Sequence, residues 1–297
     1  MPAEAPAAAP RGDVTTIAPY RPPANRGATA ARWGLRLAAL GYVAAILLGP
    51  LALVFYNTFQ SGFGEAWAAV TSPAALHALY LTILIALIAV PLNAVFGVAA
   101  ALVLVRRRVP GRSLISALID LPLALSPVVV GLSIVLVWGQ DGWFGPATEA
   151  TGIQVLFALP AMVLATIFVS LPFVVREVVP VLREVGSDQE EAASTLGAGA
   201  VQTFWRITLP AIRWGIIYGV VLTTARALGE YGAVRVVSGG IAEKTETMTL
   251  HVEERFQAFD YVAAYGSSMV LAILALVVVL AMNLLNRKGG GDGDHGH

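Results

Sequence analysis

The sequence predicts an all-α, polytopic membrane protein with six transmembrane helices. Of its 297 residues, 57% are hydrophobic and only 13% are charged, and the mean hydropathy is +0.73. A soluble domain of this length carries about 25% charged residues. Six apolar runs approach or exceed the roughly 20 residues that cross a hydrocarbon core, and Lys and Arg gather on alternate connections between them. Much of the surface is therefore predicted to face lipid.

The six apolar runs divide the chain into one transmembrane domain, 32–287, and two polar tails. The first run is too long for a signal-peptide core and no clear cleavage site follows it, so we interpret it as an anchor that stays. The tails, 1–31 and 288–297, are predicted to be disordered. The runs are Trp33–Phe55, Leu76–Val105, Leu114–Val137, Val155–Val179, Ala211–Leu228 and Gly266–Leu285.

The distribution of basic residues predicts the orientation of the chain. Fifteen of the 19 Lys and Arg residues flank the first run, the second-to-third connection, the fourth-to-fifth connection or the end of the sixth run. Basic residues concentrate on the cytoplasmic side of membrane proteins. Both termini are therefore predicted to be cytoplasmic. The remaining four basic residues are Arg226, Arg235, Lys244 and Arg255.

Prolines and small residues within the runs bear on helix packing. Ordinary kinks are the favoured interpretation of the prolines, because neighbouring helices can satisfy the freed carbonyls. A hinge at Asp120–Pro127 is the alternative. Gly97 and Ala101, four residues apart, predict a close helix contact. The prolines are Pro91, Pro122, Pro127, Pro160 and Pro172.

The connection between the fourth and fifth runs contains a predicted short helix. Ser187 or Asp188 can cap its start, and Glu190 and Glu191 place acids in its first turn. Gly197 and the glycine two residues later end it after about two turns. Such a short amphipathic helix cannot bury its apolar side alone, so it needs the membrane surface or a partner protein.

Seven residues of this connection match, at every spacing, the cytoplasmic-loop signature of bacterial ABC-importer permeases: Glu-Ala-Ala, three residues, Gly, nine residues, Ile-x-Leu-Pro. The resemblance implies the MetI-like fold of type I importer permeases and a coupling loop at 184–210. Its short helix would dock into a groove on an ATP-hydrolysing subunit, with the two alanines as a small close-approach face. The residues are Glu191, Ala192, Ala193, Gly197, Ile207, Leu209 and Pro210.

Four further stretches within residues 76–270, together with Asp120-Leu-Pro, resemble the CysW-type subunit of sulfate/thiosulfate importers. This resemblance implies a bacterial inner membrane. The molybdate permease shares the Arg-Ala-Leu-Gly-Glu run, so molybdate or another oxyanion stays open as the alternative substrate. The resemblance implies a homodimeric ATPase, a sister permease and an extracytoplasmic sulfate-binding protein as partners. The stretches are Ala86–Gly97, Phe168–Pro180, Leu222–Ala233 and Val236–Glu246.

Charged residues within the runs are candidates for the pathway or gate. Arg226 and Glu230 are four residues apart, so they share a helix face and can pair. A lock in the external gate is favoured over attraction of the anion, because a paired arginine attracts an anion weakly. For Asp120 a buried helix-to-helix hydrogen bond is favoured over a proton relay. Arg176 is expected to snorkel to the boundary.

Several function classes are excluded or disfavoured. No Gly-rich loop ends in Gly-Lys-Ser/Thr, so the chain is not expected to hydrolyse ATP; ATP and Mg would bind to the partner ATPase. There are no cysteines, and no metal site, enzymatic site or nucleic-acid partner is predicted besides contact with the bilayer. A secondary transporter or channel is also six-helical, but it has no use for the coupling-loop signature.

Overall fold

A computed structural model of the chain describes the backbone of residues 26–107 and 109–289, and side chains from Trp33 to Leu280 apart from position 108. The chain divides into two compact units, residues 1–51 and 52–297. Most of the two predicted tails, 1–31 and 288–297, lies outside the described residues. Their predicted disorder therefore stays a prediction.

The described residues form thirteen α-helices, one π-helical segment and no strand. The α-helices are α1 (Arg26–Phe59), α2 (Phe63–Val70), α3 (Pro73–Arg106), α4 (Arg112–Ala124), α5 (Pro127–Trp138), α6 (Gly145–Thr151), α7 (Leu159–Val185), α8 (Asp188–Thr195), α9 (Ala200–Thr203), α10 (Leu209–Leu228), α11 (Gly232–Val237), α12 (Met248–Gln257) and α13 (Tyr261–Gly289). The π-helical segment, Phe204–Thr208, joins α9 to α10.

Five helical stretches are long and apolar enough to cross a membrane, and the bent pair α4–α5 makes a sixth if it counts as one span. The predicted all-helical, six-span architecture is confirmed. In the first unit, no residue between Trp33 and Leu51 is buried. This part of α1 therefore exposes its apolar side chains on all sides. The stretches are Trp33–Phe59, Pro73–Arg106, Leu159–Val185, Ala200–Leu228 and Tyr261–Leu280.

The third predicted span is broken in the middle. α4 and α5 meet at an angle of 112°, and Leu125 and Ser126 between them have extended backbone. Pro127 begins α5, and a proline disfavours helical backbone at the residue before it. The break at this position is therefore more than an ordinary kink, and the hinge alternative stays a prediction. Pro91 and Pro172 lie inside continuous helices.

α5 is held against α11 through two glycines. A Cβ atom on Gly131 would lie 2.8 Å from the carbonyl oxygen of Ala233, and one on Gly232 would lie 2.9 Å from the Cβ of Pro127. The two backbones therefore touch, with no side chain between them at these points. This contact anchors the segment that follows the bend.

The centre of the bundle is the contact of α3, α7 and α10 around Val174, which is fully buried. A Cβ atom on Gly97 of α3 would lie 2.7 Å from the Val174 Cβ, and one on Gly219 of α10 would lie 2.9 Å from the Val174 Cα. Ala101, one turn after Gly97, is also fully buried. The predicted close contact at these small residues is confirmed.

α2 is a short helix that the apolar runs did not predict. The aromatic rings of Phe59, Phe63 and Trp67 stack in series, with centroids 6.0 and 6.2 Å apart. Phe63 and Trp67 are exposed. Amphipathic aromatic rings are enriched at membrane–water interfaces. We therefore expect α2 to lie at the membrane–water interface, in the connection between the first and second spans.

Substitution of Gly219 tests the three-helix contact. We expect Gly219→Ala to destabilise the chain by about 1–3 kcal/mol, because the new methyl group overlaps the α7 backbone and a well-packed core yields little. Thermal unfolding of the detergent-solubilised protein measures the effect. Gly64→Ala is the matched control, since a Cβ atom there meets nothing within 4 Å. Equal melting temperatures for the two variants would contradict the proposed packing.

Candidate functional site

The predicted short helix of the coupling loop is α8. Ser187 occupies its N-cap position, and Asp188, Glu190 and Glu191 stand in its first turn, as predicted. The Ser187 side chain makes no capping hydrogen bond to the backbone; its hydroxyl instead donates to the Glu191 carboxylate over 2.7 Å. The reason is local, because Ser187 has near-helical backbone angles, whereas a capping residue is typically extended.

Gly197 ends α8 in a left-handed turn. Its φ is +85°, its own N–H donates to the carbonyl of Ser194, and the N–H of Ala198 donates to the carbonyl of Ala193, each over 3.0 Å. This pair of bonds is the Schellman motif, which favours glycine at the left-handed position. The requirement for glycine here is therefore conformational, since a Cβ atom would meet nothing within 4 Å.

The two alanines of the signature point in different directions. Ala192 and Glu191 are exposed, whereas Ala193 is 8% exposed and packs into the chain itself. The prediction of one small face made by both alanines is wrong, because successive helical residues point about 100° apart. Leu196, one turn after Ala192, is 89% exposed, and Trp205 in the π-helical segment is 62% exposed.

The end of the signature leads into the next span. Helix α9 continues through the π-helical segment into α10, and Pro210 stands in the first turn of α10, as predicted. Ile207 and Leu209 are half-buried. The π-helical segment lies within a continuous helical stretch, Ala200–Leu228, so the last part of the coupling loop is continuous with the fifth span.

An arginine on α3 fastens α8 to the bundle. The Arg106 guanidinium lies 2.9 Å from the Glu190 carboxylate, and it donates to the carbonyls of Leu182 and Gly186 over 3.1 and 2.6 Å. The Thr208 hydroxyl donates to the same Glu190 carboxylate over 2.8 Å. Glu190 is thus bound by α3 and by the segment that opens α10, while Arg106 also binds the end of α7.

Sequence reasoning did not find this network. Arg106 counted only as one of several basic residues in its connection, and Glu190 counted only as a first-turn acid. The two residues are 84 positions apart, and three arginines in a row offer no local signal that singles one out. The network is a product of the packing of α3 against α7.

The gate candidates Arg226 and Glu230 form the predicted pair, with 2.5 Å between guanidinium and carboxylate. The Glu230 side chain is 2% exposed and also accepts a bond from the N–H of Ala233, at the start of α11, over 2.9 Å. The Thr249 hydroxyl donates to the backbone carbonyl of Glu230 over 2.8 Å. These bonds favour the structural lock; a role in gating stays a prediction.

The third candidate, Asp120, lies elsewhere. Its carboxylate accepts a bond from Arg176 over 2.9 Å, which joins α4 to α7. The bond between helices is as predicted, but the two side chains are 41% and 59% exposed, so the predicted burial is wrong. Asp120 is bound to Arg176, two residues after Val174 on α7, and Val174 lies against Gly219 of α10. Arg226 stands seven residues, about 10 Å, further along α10. The structure therefore does not assemble the three candidates into one site.

A second buried polar pair, between a histidine and a glutamate, supports the segment between α11 and α12. The Nδ1 atom of His251 lies 3.1 Å from the Glu246 carboxylate, and both side chains are almost fully buried. Burial raises the pKa of Glu246, but hydrogen bonds to His251 and Glu254 outweigh it, so the pKa is lowered overall. The shared bond with Glu246 raises the pKa of Glu254. Among the described residues, no group of His, Asp and Glu side chains is arranged to hold a metal ion.

Comparison with known proteins agrees with this geometry. Residues 93–288 match the model of the family described as "Binding-protein-dependent transport system inner membrane component". The chain belongs to this family. It is therefore a multi-pass membrane subunit of a transport system and not a catalyst.

Two curated relatives of the chain are sulfate transport system permease proteins named CysW. The protein from Synechocystis sp. is 50% identical over 252 residues, which cover 85% of this chain and 91% of the relative. The Escherichia coli K12 protein is 45% identical and covers 82% of this chain and 83% of the relative. A permease named CysT from Salmonella typhimurium is 39% identical, with coverages of 85% and 91%.

The fold is also that of a solved importer. A chain of a bacterial ABC transporter that imports the polysaccharide alginate matches with a TM-score of 0.73, covering 88% of this chain and 96% of that chain. The identity is 18%, so this likeness concerns the fold alone. It establishes the six-span architecture as that of type I ABC-importer permeases.

A matched pair of glycines tests the turn after α8. Gly197 has positive φ, whereas Gly199 has φ of −73°, and neither has atoms near a built Cβ. We expect Gly197→Ala to slow transport severalfold, because a left-handed residue with a side chain costs about 1–2 kcal/mol. Gly199→Ala should transport normally. Membrane fractionation checks insertion of both variants, and equal transport rates would contradict this account of Gly197.

Neighbouring arginines test the network on α8. We expect Arg106→Gln to destabilise the chain by about 2 kcal/mol, because bonds to a carboxylate and two carbonyls are lost. Arg107→Gln removes one positive charge from an exposed neighbour and should have little effect. Thermal unfolding measures both.

The double variant Arg106→Gln/Glu190→Gln, compared with each single variant, forms a double-mutant cycle that measures the coupling between the two side chains. It should be less destabilised than the sum of its single variants, since both ends of the ion pair are then removed together. Additive effects, or equal effects of Arg106→Gln and Arg107→Gln, would contradict the network.

Proposed function

We propose that this chain is a permease subunit of an ATP-driven importer of sulfate and thiosulfate, coupled to its ATPase through the loop around α8. The observation that supports it most is the attachment of α8. This helix exposes the signature residues Glu191 and Ala192 on one side, while Glu190 on its other side is bound to Arg106 and Thr208. A partner that grips the open side therefore moves α3, α7 and α10 with it.

The surface of α8 suits a protein partner of defined chemistry. Ala192 leaves room for close approach, Leu196 and Trp205 offer apolar area, and Glu191 offers a carboxylate to a basic group. Such a mixture of a central apolar contact with a charged rim is typical of protein interfaces. We assign it to a groove on the ATP-hydrolysing subunit, as the resemblance implies.

The arginine-rich end of the bundle is proposed to be cytoplasmic. This end includes Arg106 at the end of α3, Arg112 at the start of α4 and Arg183 near the end of α7. The bonds from Arg106 to the end of α7 hold α3 and α7 together here. The positive-inside rule then puts α8 and both termini in the cytoplasm. This is the side on which ATP is available.

The complete importer is proposed to contain four kinds of component. This chain would pair with a sister permease, for which the CysT relative is the model, and bind a homodimeric ATPase. ATP and Mg would be held by that ATPase. A soluble extracytoplasmic protein would deliver the anion; the solved alginate transporter is also described in complex with a periplasmic protein bound to its ligand.

The substrate assignment rests on the sulfate permeases among the relatives, at 45–50% identity. Molybdate or another oxyanion is the second candidate, because the Arg226–Glu230 run also resembles that of molybdate permeases. A secondary transporter or channel is the alternative from another class. It would need no surface like that of α8, and its transport would not depend on ATP.

Uptake of labelled sulfate tests the proposal. Cells lacking the chain should regain uptake with the wild-type chain, competed by excess thiosulfate but little by molybdate. Energisation is tested in the same cells with an ATPase partner unable to hydrolyse ATP, which should abolish uptake. Retained uptake would support the secondary transporter, and restored molybdate uptake without a sulfate defect would move the substrate to molybdate.

A further inference from the structure

A cleft of about 600 Å³ opens between α3, α4 and α7 near the arginine-rich end. Its polar lining comes from two helical stripes that face each other. Arg112, Ser116 and Asp120 recur every fourth residue on α4, and Arg176 and Arg183 lie two turns apart on α7. Apart from Asp120, none of these side chains belongs to the signature or to the gate candidates.

The cleft carries an excess of positive charge. Three guanidinium groups and one carboxylate line it, and the carboxylate of Asp120 is bound to Arg176. Within the side chains that the structure describes, neither Arg112 nor Arg183 has a carboxylate within 4.0 Å. Two full positive charges are therefore left without a protein counter-charge in one cleft.

The cleft also has an apolar wall. Leu104, Val175 and Val179 line it beside the arginines, and Val175 is buried. From Arg183 to Arg176 the lining runs about 10 Å along α7. A pocket with an apolar wall and a basic rim between helices has the character of sites between transmembrane helices that hold anionic head groups.

We propose that this cleft binds a tetrahedral oxyanion through Arg112 and Arg183, with the serine hydroxyls of Ser113 and Ser116 as further donors. Arginine forks match the oxygens of phosphate and sulfate. The oxyanion has two sources, the phosphodiester of an anionic phospholipid or free sulfate. The sulfate source rests on the proposed function; the lipid source stands without it.

Binding by the full-length chain tests the site. Native mass spectrometry of the detergent-solubilised chain measures retention of added phosphatidylglycerol against phosphatidylcholine. Equilibrium dialysis of the chain in phosphatidylcholine nanodiscs measures labelled sulfate. Three variants are compared with wild type: Arg112→Gln/Arg183→Gln, the charge-preserving Arg112→Lys/Arg183→Lys, and Arg107→Gln, which removes an exposed arginine outside the cleft.

The glutamine variant should bind one of the two ligands with an affinity at least about tenfold lower than that of wild type, because two cations are removed. The lysine variant should retain most of it, and Arg107→Gln should equal wild type. Loss of phosphatidylglycerol binding identifies the lipid, and loss of sulfate binding identifies the free anion. Three results would overturn the site. Wild type could bind neither ligand, the glutamine variant could bind as well as wild type, or the glutamine and lysine variants could lose binding equally.

Uptake distinguishes failure of this site from failure of the proposed function. If the chain restores no sulfate uptake but phosphatidylglycerol is retained through Arg112 and Arg183, the sulfate assignment fails and the site stands. If sulfate uptake is restored and neither ligand binds, the site fails and the importer assignment stands.

Discussion

The contact of α3, α7 and α10 around Val174 is the constraint on which the rest of the structure depends. In lipid, apolar burial does not drive helices together, so association relies on close packing of small residues. Gly97 and Gly219 provide it, because neither has a side chain to separate its backbone from α7. With the three spans in register, the end of α3 lies beside the end of α7, and Arg106 reaches the carbonyls there.

The bonds of Arg106 attach the coupling loop to the helix bundle. α8 is two turns long and has little apolar surface to bury, so it would otherwise move freely on its connections. Glu190 ties it to α3 and to the start of α10, and Gly197 redirects the chain into the helix that continues as the fifth span. These bonds join α8 to three spans, as the proposed coupling to an ATPase requires.

The two ends of the bundle use charge in different ways. At the far end, Glu230 is bound to Arg226 and Glu246 to His251, and both glutamates are buried. At the arginine-rich end, the cleft beside α7 leaves Arg112 and Arg183 open. Buried pairs are costly to break once formed, whereas open cations attract anions. The oxyanion site that we propose therefore lies at the arginine-rich end, away from the buried pairs.

The number of spans and the position and length of α8 could be predicted from local sequence. These depend on runs of apolar residues and on one glycine, which act through their neighbours in the chain. Four features emerge from the packed helices alone: which acid Arg106 binds, that Ala193 faces inward, that the Asp120 side chain is 41% exposed, and that the third span bends by 112°. The physical reason is that these features depend on which helices approach each other, and residues 84 positions apart leave no trace of that approach in local pattern.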